Sequence, residues 1–394
     1  MARQIRVCQV INSFVVGGAE TVALDLSRKL DPTRFEVRLL APFKSEAGNG
    51  IPEMERRFRD AGVPIDKLEI ASFHNPWSIF RLYQYFRRGH FDIVHGHNRL
   101  SDAWAVEIGA LAGIPVRFWT RHLVYQDMTP VLVWRYARLA GKVDMVFAVS
   151  EAVRQNCIEI EGIPEQKLKT ITNGIDTERY APASGEDVAA TRRKLGLAPD
   201  ESMILFVGRL NEQKAPDGFV HTIWKLRESG CRLRGFMCGT GPLEDEIRSL
   251  IDGGPGGVTM LGLRNDVPEL IAATDLFVST SRNEGLPLNV MEAMSGGAAV
   301  LAPDIEQVSC LLTSAELRDV CLMPPPPPNG PLPDSLIDAW AEKVRDTLAN
   351  ENRRKRIGKE SRELIRAHHS LNSMVVTYQE MYEERLQARS VKTG

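Results

Sequence analysis

Short apolar runs alternate with amphipathic, helix-length segments along most of the chain, and this rhythm leaves few folds open. In the first half the runs fall at residues 5–11, 35–40, 65–70, 92–95, 116–120, 143–149 and 169–171. Helical patterns occupy 19–30, 53–61, 77–88 and 101–112 between them. A strand–helix–strand order builds a parallel sheet covered on both faces, because a parallel crossover needs a connection of helix length. The pattern breaks after Asn173-Gly174-Ile175-Asp176, and 181–200 is loop-rich. It then restarts, with strands expected at 203–207, 232–237, 259–261 and 275–278. A chain of 394 residues is too long for one ordinary core. The reading is therefore α/β, with two doubly wound domains divided near residue 176 and an amphipathic helix at 371–386.

Composition narrows the function classes. The chain is 43% apolar and 25% charged, with a net charge of −2. That balance argues against a general nucleic-acid binder. The N-terminal Met-Ala-Arg-Gln-Ile-Arg runs into a strand without the apolar core of a signal peptide, and no apolar run reaches membrane-spanning length. The six cysteines are scattered without a CxxC pair, so they read as reduced thiols of a cytoplasmic protein.

In doubly wound sheets, ligands sit beyond the carboxyl ends of the strands, so the loops there are the places to search. The most informative stretch is 279–299. A strand ends at Ser279, a polar loop carries Glu284 and Gly285, and Pro287 suits the first turn of a helix. A helix N-terminus so placed favours phosphate. Glu284 and Glu292 bracket it, and carboxylates suit hydroxyls rather than phosphate; the alternative is that both are solvated surface charges. Three further loops belong to this half. Arg209 and Lys214 supply two cations, suited to a diphosphate. Gly239 and Gly241 let a ligand approach backbone, and the loop after Gly262 offers main-chain groups to a base.

The first half offers weaker signals. Gly17-Gly18 precedes a helix but lacks the GxGxxG spacing of a dinucleotide binder, so a dehydrogenase is not indicated. His95-Gly96-His97 and Thr120-Arg121-His122 close two strands. His122 can act as acid, base or hydroxyl orienter, or be a hydrogen-bonded structural residue. No carboxylate or cysteine completes a metal set around the HxH, so no metal is expected. Aromatics and arginines share 77–88, Arg56, Arg57 and Arg59 lie nearby, and residues 1–142 carry more Lys/Arg than Asp/Glu. Such a surface can rest on anionic lipid, or be an ordinary packed helix. The run Pro324–Pro328 is extended and reads as a surface connection.

Val207-Gly208-Arg209-Leu210-x-x-x-Lys214, Gly239-x-Gly241-Pro242, Asp266-Val267-Pro268-Glu269-Leu270 and Glu284-Gly-x-Pro-x-x-x-x-Glu292-Ala-Met resemble the retaining nucleotide-sugar glycosyltransferases of family 4. Gly17-Gly18-Ala19-Glu20, His95-x-His97, Ser150-Glu151 and Asn173-Gly174-Ile175-Asp176 resemble the N-terminal half of the same family. The resemblance implies a GT-B fold, two Rossmann-like domains facing across a cleft. Residues 1–176 would be the acceptor domain, 177–370 the donor domain, and a final helix at about 371–394 would cross back onto the first. It implies a nucleoside-diphosphate sugar as donor and a glycan or lipid-linked acceptor, with no cofactor. Arg209 and Lys214 would hold the diphosphate and Glu292 the ribose. Glu284 and His122 would face the sugar, the amides of Gly285, Leu286 and Leu288 would meet sugar and phosphate, and Gly17 and Gly18 would close over the diphosphate.

Two departures stand out. Gly297-Ala298-Ala299-Val300-Leu301 and Asp304-Ile305-Glu306-Gln307 replace the family's usual Gly-x-Pro-Val-Val and Gly-Gly turn, which leaves the sugar open. Ala215 replaces a common glycine, expected to be harmless. A sugar-nucleotide 2-epimerase, or a binding protein of the same fold, are the rival functions. The expected reaction is metal-independent, in the cytoplasm or at the cytoplasmic face of the membrane.

Overall fold

The computed structural model describes residues 3–43, 52–70, 72, 75–125 and 128–393. It divides into two compact units, Met1–Gly174 with Leu371–Gly394, and Ile175–Ser370.

The first unit holds a seven-stranded parallel sheet. Its strands are β1 (Ile5–Val10), β2 (Phe35–Phe43), β3 (Ile65–Ile70), β4 (Ile93–Gly96), β5 (Val116–Arg121), β6 (Met145–Ala148) and β7 (Leu168–Thr170), in the spatial order β3-β2-β1-β4-β5-β6-β7. Both faces are buried, which is why the strands read as continuous apolar runs. On β2, Leu39 and Ala41 pack into one cluster with Phe14, Met54 and Phe58. Leu40, between them, packs on the other face with Leu82, Phe86 and Ile108.

The second unit holds six parallel strands, β8 (Ser202–Val207), β9 (Leu233–Cys238), β10 (Val258–Gly262), β11 (Leu276–Val278), β12 (Val300–Pro303) and β13 (Leu322–Met323). Their order is β10-β9-β8-β11-β12-β13. Ile204, Phe206, Phe219, Ile223, Leu276, Leu301 and Trp340 share its core.

In each sheet the order of strands reverses once, between β1 and β4 and between β8 and β11. At such a point two neighbouring connections leave to opposite faces, and a crevice opens at the carboxyl ends. The loops after β1, β4, β8 and β11 are therefore the ones the topology sets aside for a ligand.

Several elements differ from the reading of the sequence. The strand expected at 143–149 is Met145–Ala148, and those at 169–171 and 275–278 are Leu168–Thr170 and Leu276–Val278. The helix after Glu284 is Leu288–Ser295, so Pro287 flanks it in extended conformation instead of opening its first turn. Helices Pro130–Ala140 and Glu151–Glu159 and strands β12 and β13 were not anticipated. The last helix runs from Leu371 to Thr393. Leu371, Met374, Val375, Tyr378, Met381 and Tyr382 are buried at helical spacing, a stripe that covers an apolar surface. The proline run is held in place by Trp340 Nε1 donating to the Pro324 carbonyl at 2.8 Å and Arg282 Nη1 to the Pro327 carbonyl at 2.6 Å.

All six cysteines are free. Among the described residues no helix is long and apolar enough to cross a membrane, and no cluster of three or more His, Cys, Asp or Glu can hold a metal.

Candidate functional site

In the second unit, the loops after β8 and β11 are laced together. Asn211 caps the turn Glu212–Lys214 by accepting from the Lys214 amide at 3.2 Å. Thr280 Oγ1 donates to the carbonyls of Lys214 and Ala215, at 2.9 Å each. The Arg282 amide donates to the Gln213 carbonyl at 2.7 Å, and Gln213 Nε2 to the Asn283 carbonyl at 2.9 Å. The result is a fixed platform that carries Lys214 and Glu284 toward each other, with Lys214 Nζ 2.5 Å from Glu284 Oε1. The Glu284 side chain is 6% exposed, so water screens this pair little. Asn289 Nδ2 donates to the Val207 carbonyl at 2.7 Å and ties the first turn of helix Leu288–Ser295 to the end of β8. The Leu286 side chain is buried. Gly285 is buried, and Leu288 and Glu292 are half-buried. Arg209 is exposed and makes no ion pair among the described residues.

Ala215 adopts φ +42°, ψ +58°, the left-handed region that suits glycine. The methyl group there costs about 1–2 kcal/mol, so the departure at this position is strained, a correction to its expected harmlessness. Gly239 and Gly241 also have a packing role. A Cβ on Gly239 would lie 1.9 Å from the Gly208 carbonyl oxygen, and one on Gly241 2.3 Å from that of Leu210. Both glycines let the loop after β9 lie on the loop that carries Arg209. Hydrogen bonds from the Gly208 amide to the Cys238 carbonyl and from the Leu210 amide to the Thr240 carbonyl, both 3.0 Å, close that contact.

In the first unit, Asn98 organises the crevice between β1 and β4. Its Oδ1 accepts from the Asn12 amide at 2.8 Å, and its Nδ2 donates to Glu20 Oε1 at 3.0 Å. Asn12 Oδ1 accepts from the Ser101 amide at 2.9 Å. Gly17 precedes helix Gly18–Lys29, and a Cβ on it would meet Glu20 Oε2 at 2.6 Å. Gly17 thus makes room for the buried Glu20 carboxylate.

His97 Nδ1 lies 3.3 Å from His122 Nε2. Burial, and secondarily the neighbouring Arg121 cation, pushes His122 down to about 3. His95 and His97 are fully buried and lowered well below the ordinary histidine value for the same first reason. All three rings are therefore neutral near pH 7, so they accept or donate hydrogen bonds but carry no charge. Beside them, fully buried Arg121 contacts Asp102 and lies 2.8 Å from Glu161, and its guanidinium packs over the Trp119 and Tyr136 rings. One cation cannot balance two carboxylates, and burial raises Asp102 to about 8.

Two family models cover these features. Glycosyltransferase Family 4 matches residues 16–179, and Glycosyl transferases group 1 matches residues 187–364. The chain belongs to the family 4, group 1 glycosyltransferases. The UDP-Gal:alpha-D-GlcNAc-diphosphoundecaprenol alpha-1,3-galactosyltransferase of Escherichia coli is 25% identical over 364 residues, which are 88% of this chain and 90% of that one. The D-inositol 3-phosphate glycosyltransferase of Kineococcus radiotolerans is 29% identical over 301 residues, 68% of this chain and 66% of the relative. The crystal structure of Anabaena HepE in complex with UDP and glucose matches with a TM-score of 0.80 at 17% identity, covering 96% of this chain and all of that one. The glycosyltransferase therefore has the GT-B fold, with two α/β units.

Some residues of the first unit's buried polar clusters escaped the sequence. Glu161, Asp102, Gln9, Asn12 and Asn98 act through contacts far away along the chain, and each reads alone as an ordinary polar residue. Arg121 stood beside His122 in the same loop motif, but nothing in the sequence pairs it with two acids.

Proposed function

We propose that this glycosyltransferase transfers a sugar from a uridine-diphosphate sugar to a hydroxyl of a glycan or lipid-linked acceptor, with retention of anomeric configuration. The observation that supports the reading is the Lys214–Glu284 pair on the laced loops after β8 and β11, next to the start of helix Leu288–Ser295, with Arg209 in the same loop after β8. A diphosphate leaving group gains charge as the glycosidic bond breaks, and preorganised cations and helix amides stabilise that charge most where water is scarce. Lys214 exchanges its bond to Glu284 for the diphosphate, and Glu284 is released to orient sugar hydroxyls. Glu292 accepts from the ribose, and the amides of Gly285, Leu286 and Leu288 meet phosphate and sugar. Residues 1–174 and 371–394, the unit that holds Gly17, Gly18 and His122, form the acceptor domain. Uridine is favoured because the Escherichia coli relative is named for a UDP-galactose donor and HepE binds UDP.

The first test is thermal unfolding with UDP, GDP, ADP and CMP in turn. A ligand at 100 times its Kd adds about 2.7 kcal/mol, a shift of a few degrees. UDP alone is expected to give it, and Glu292→Ala to abolish it. Absence of a UDP shift in the wild type overturns the donor site. Product anomers read by proton NMR then decide retention, and turnover in EDTA checks metal independence.

We also infer peripheral contact with the cytoplasmic membrane face during polysaccharide assembly. Trp77 and Phe80 are 65% and 45% exposed and stacked at 5.2 Å on helix Pro76–Gly89, which also carries Arg81, Arg87 and Arg88. Arg56, Arg57 and Arg59 add little to this surface, because they pair with Glu53 and Glu55. Flotation with phosphatidylglycerol vesicles, lost in Trp77→Ser/Phe80→Ser, is the expected result; flotation unchanged by the double substitution removes the assignment.

A further inference from the structure

His122 ends a hydrogen-bond chain that starts on the last helix. Tyr378 Oη lies 3.3 Å from Thr120 Oγ1, and Thr120 Oγ1 lies 2.7 Å from His95 Nε2. His95 Nδ1 lies 2.6 Å from Tyr382 Oη, which accepts from Gln9 Nε2 at 3.1 Å. Gln9 Oε1 lies 2.7 Å from His97 Nε2, and His97 Nδ1 lies 3.3 Å from His122 Nε2. Every member before His122 is at most 1% exposed, so no water can rescue a mismatched donor or acceptor. The direction of one bond then dictates the next.

Two directions are self-consistent along such a chain, and the bond lengths choose between them. The 2.7 Å contact of Gln9 with His97 suits a ring N–H donating to the amide oxygen, and is short for two nitrogens. The 3.1 Å contact of Gln9 with Tyr382 suits an amide N–H donor, and is long for two oxygens. The Gln9 oxygen therefore faces His97, whose proton sits on Nε2. His97 is neutral, so its Nδ1 is a bare acceptor, and it takes the Nε2–H of His122. Neutral His122 is left with an unprotonated Nδ1, which has no partner among the described residues.

We propose that Gln9, His97 and Tyr382 are positioning residues that hold His122 as its Nε2–H tautomer and present Nδ1 as a hydrogen-bond acceptor to a sugar hydroxyl. This rests on the glycosyltransferase reading of the site given above. It also narrows the sugar. A hydroxyl can donate to Nδ1, whereas a carboxylate at that place would set acceptor against acceptor. A neutral hexose is favoured over a hexuronate.

The test reads the tautomer directly, without substrate. Long-range proton–nitrogen spectra of the full chain labelled with 15N-histidine, with His122→Gln to identify the ring, report which nitrogen carries the proton. Wild type is expected to show Nε2–H at pH 7. Gln9→Met removes both ends of the amide, and Tyr382→Phe removes its acceptor. Each is expected to bring in Nδ1–H signals, and the second variant serves if the first does not fold. With a neutral UDP-hexose, Gln9→Met is expected to lower kcat/KM about three- to tenfold, the worth of one neutral hydrogen bond, while the thermal shift given by UDP alone stays. An Nδ1–H tautomer in the wild type, or spectra unchanged in both variants, overturns the proposal. A protein that turns over no donor yet shows these spectra fails as a transferase and keeps the relay.

Discussion

Lys214 and Glu284 come from separate sequence motifs and meet at 2.5 Å. In the proposed reaction the lysine must serve the departing diphosphate, so Lys214→Ala is expected to lower kcat by roughly 10²-fold, as removal of one preorganised donor does elsewhere. Steady-state kinetics check it, and an unchanged kcat removes the assignment. These two residues were legible because each sits at a fixed offset from a strand end that the apolar pattern marks. Glu161 was not, because an acid near the end of an amphipathic helix reads as solvated, and only the fold brings Arg121 to it. Ala215 was legible as a departure but not as a strained one, since φ is set by the turn that Thr280 pins.

At the level of elements, the strands buried on both faces were readable from their apolar runs, and their ends shifted by a residue or two, since an apolar run need not stop where the ladder hydrogen bonds do. β13 has two residues and β12 ends in Pro303, so neither offers a period to detect. Helix Pro130–Ala140 did carry a signal, Thr129 as cap followed by proline, but its exposed Val131 and Trp134 blur the amphipathic pattern. The loop that carries Arg209 depends on its neighbour. Gly239 has φ +144° and its missing Cβ leaves room for the Gly208 carbonyl, so Gly239→Ala must displace that loop. It is expected to cost about 2 kcal/mol or more and to abolish the UDP-induced thermal shift. A variant of wild-type stability that still binds UDP would show that the loop tolerates the displacement.

For the molecule as a whole, the first unit concentrates buried titrating groups, and they make its stability depend on pH. His95, His97 and His122 stay neutral when folded, whereas the unfolded chain takes up protons below about 6.5. Stability is therefore lost as pH falls through 6.5. Asp102 acts in the opposite sense, because its folded form keeps a proton up to about 8 and stability falls as pH rises toward that value. Three histidines outweigh one carboxyl on the acid side, so the net loss between pH 6.5 and 5.5 is about 2 kcal/mol. Tm is expected to peak near pH 6.5 and to fall on both sides; a curve flat from pH 5.5 to 8 would contradict the buried neutral rings. The discontinuous first unit also sets an order of events during synthesis. Tyr378 and Tyr382 emerge from the ribosome only after Ile175–Ser370 has been made, roughly 200 residues and 10–40 s later at typical elongation rates. The unit that begins first is thus completed last. Until the closing helix arrives, the nascent chain holds an uncovered apolar surface and a histidine relay without its two tyrosine hydroxyls, the interval in which a chaperone has most to do.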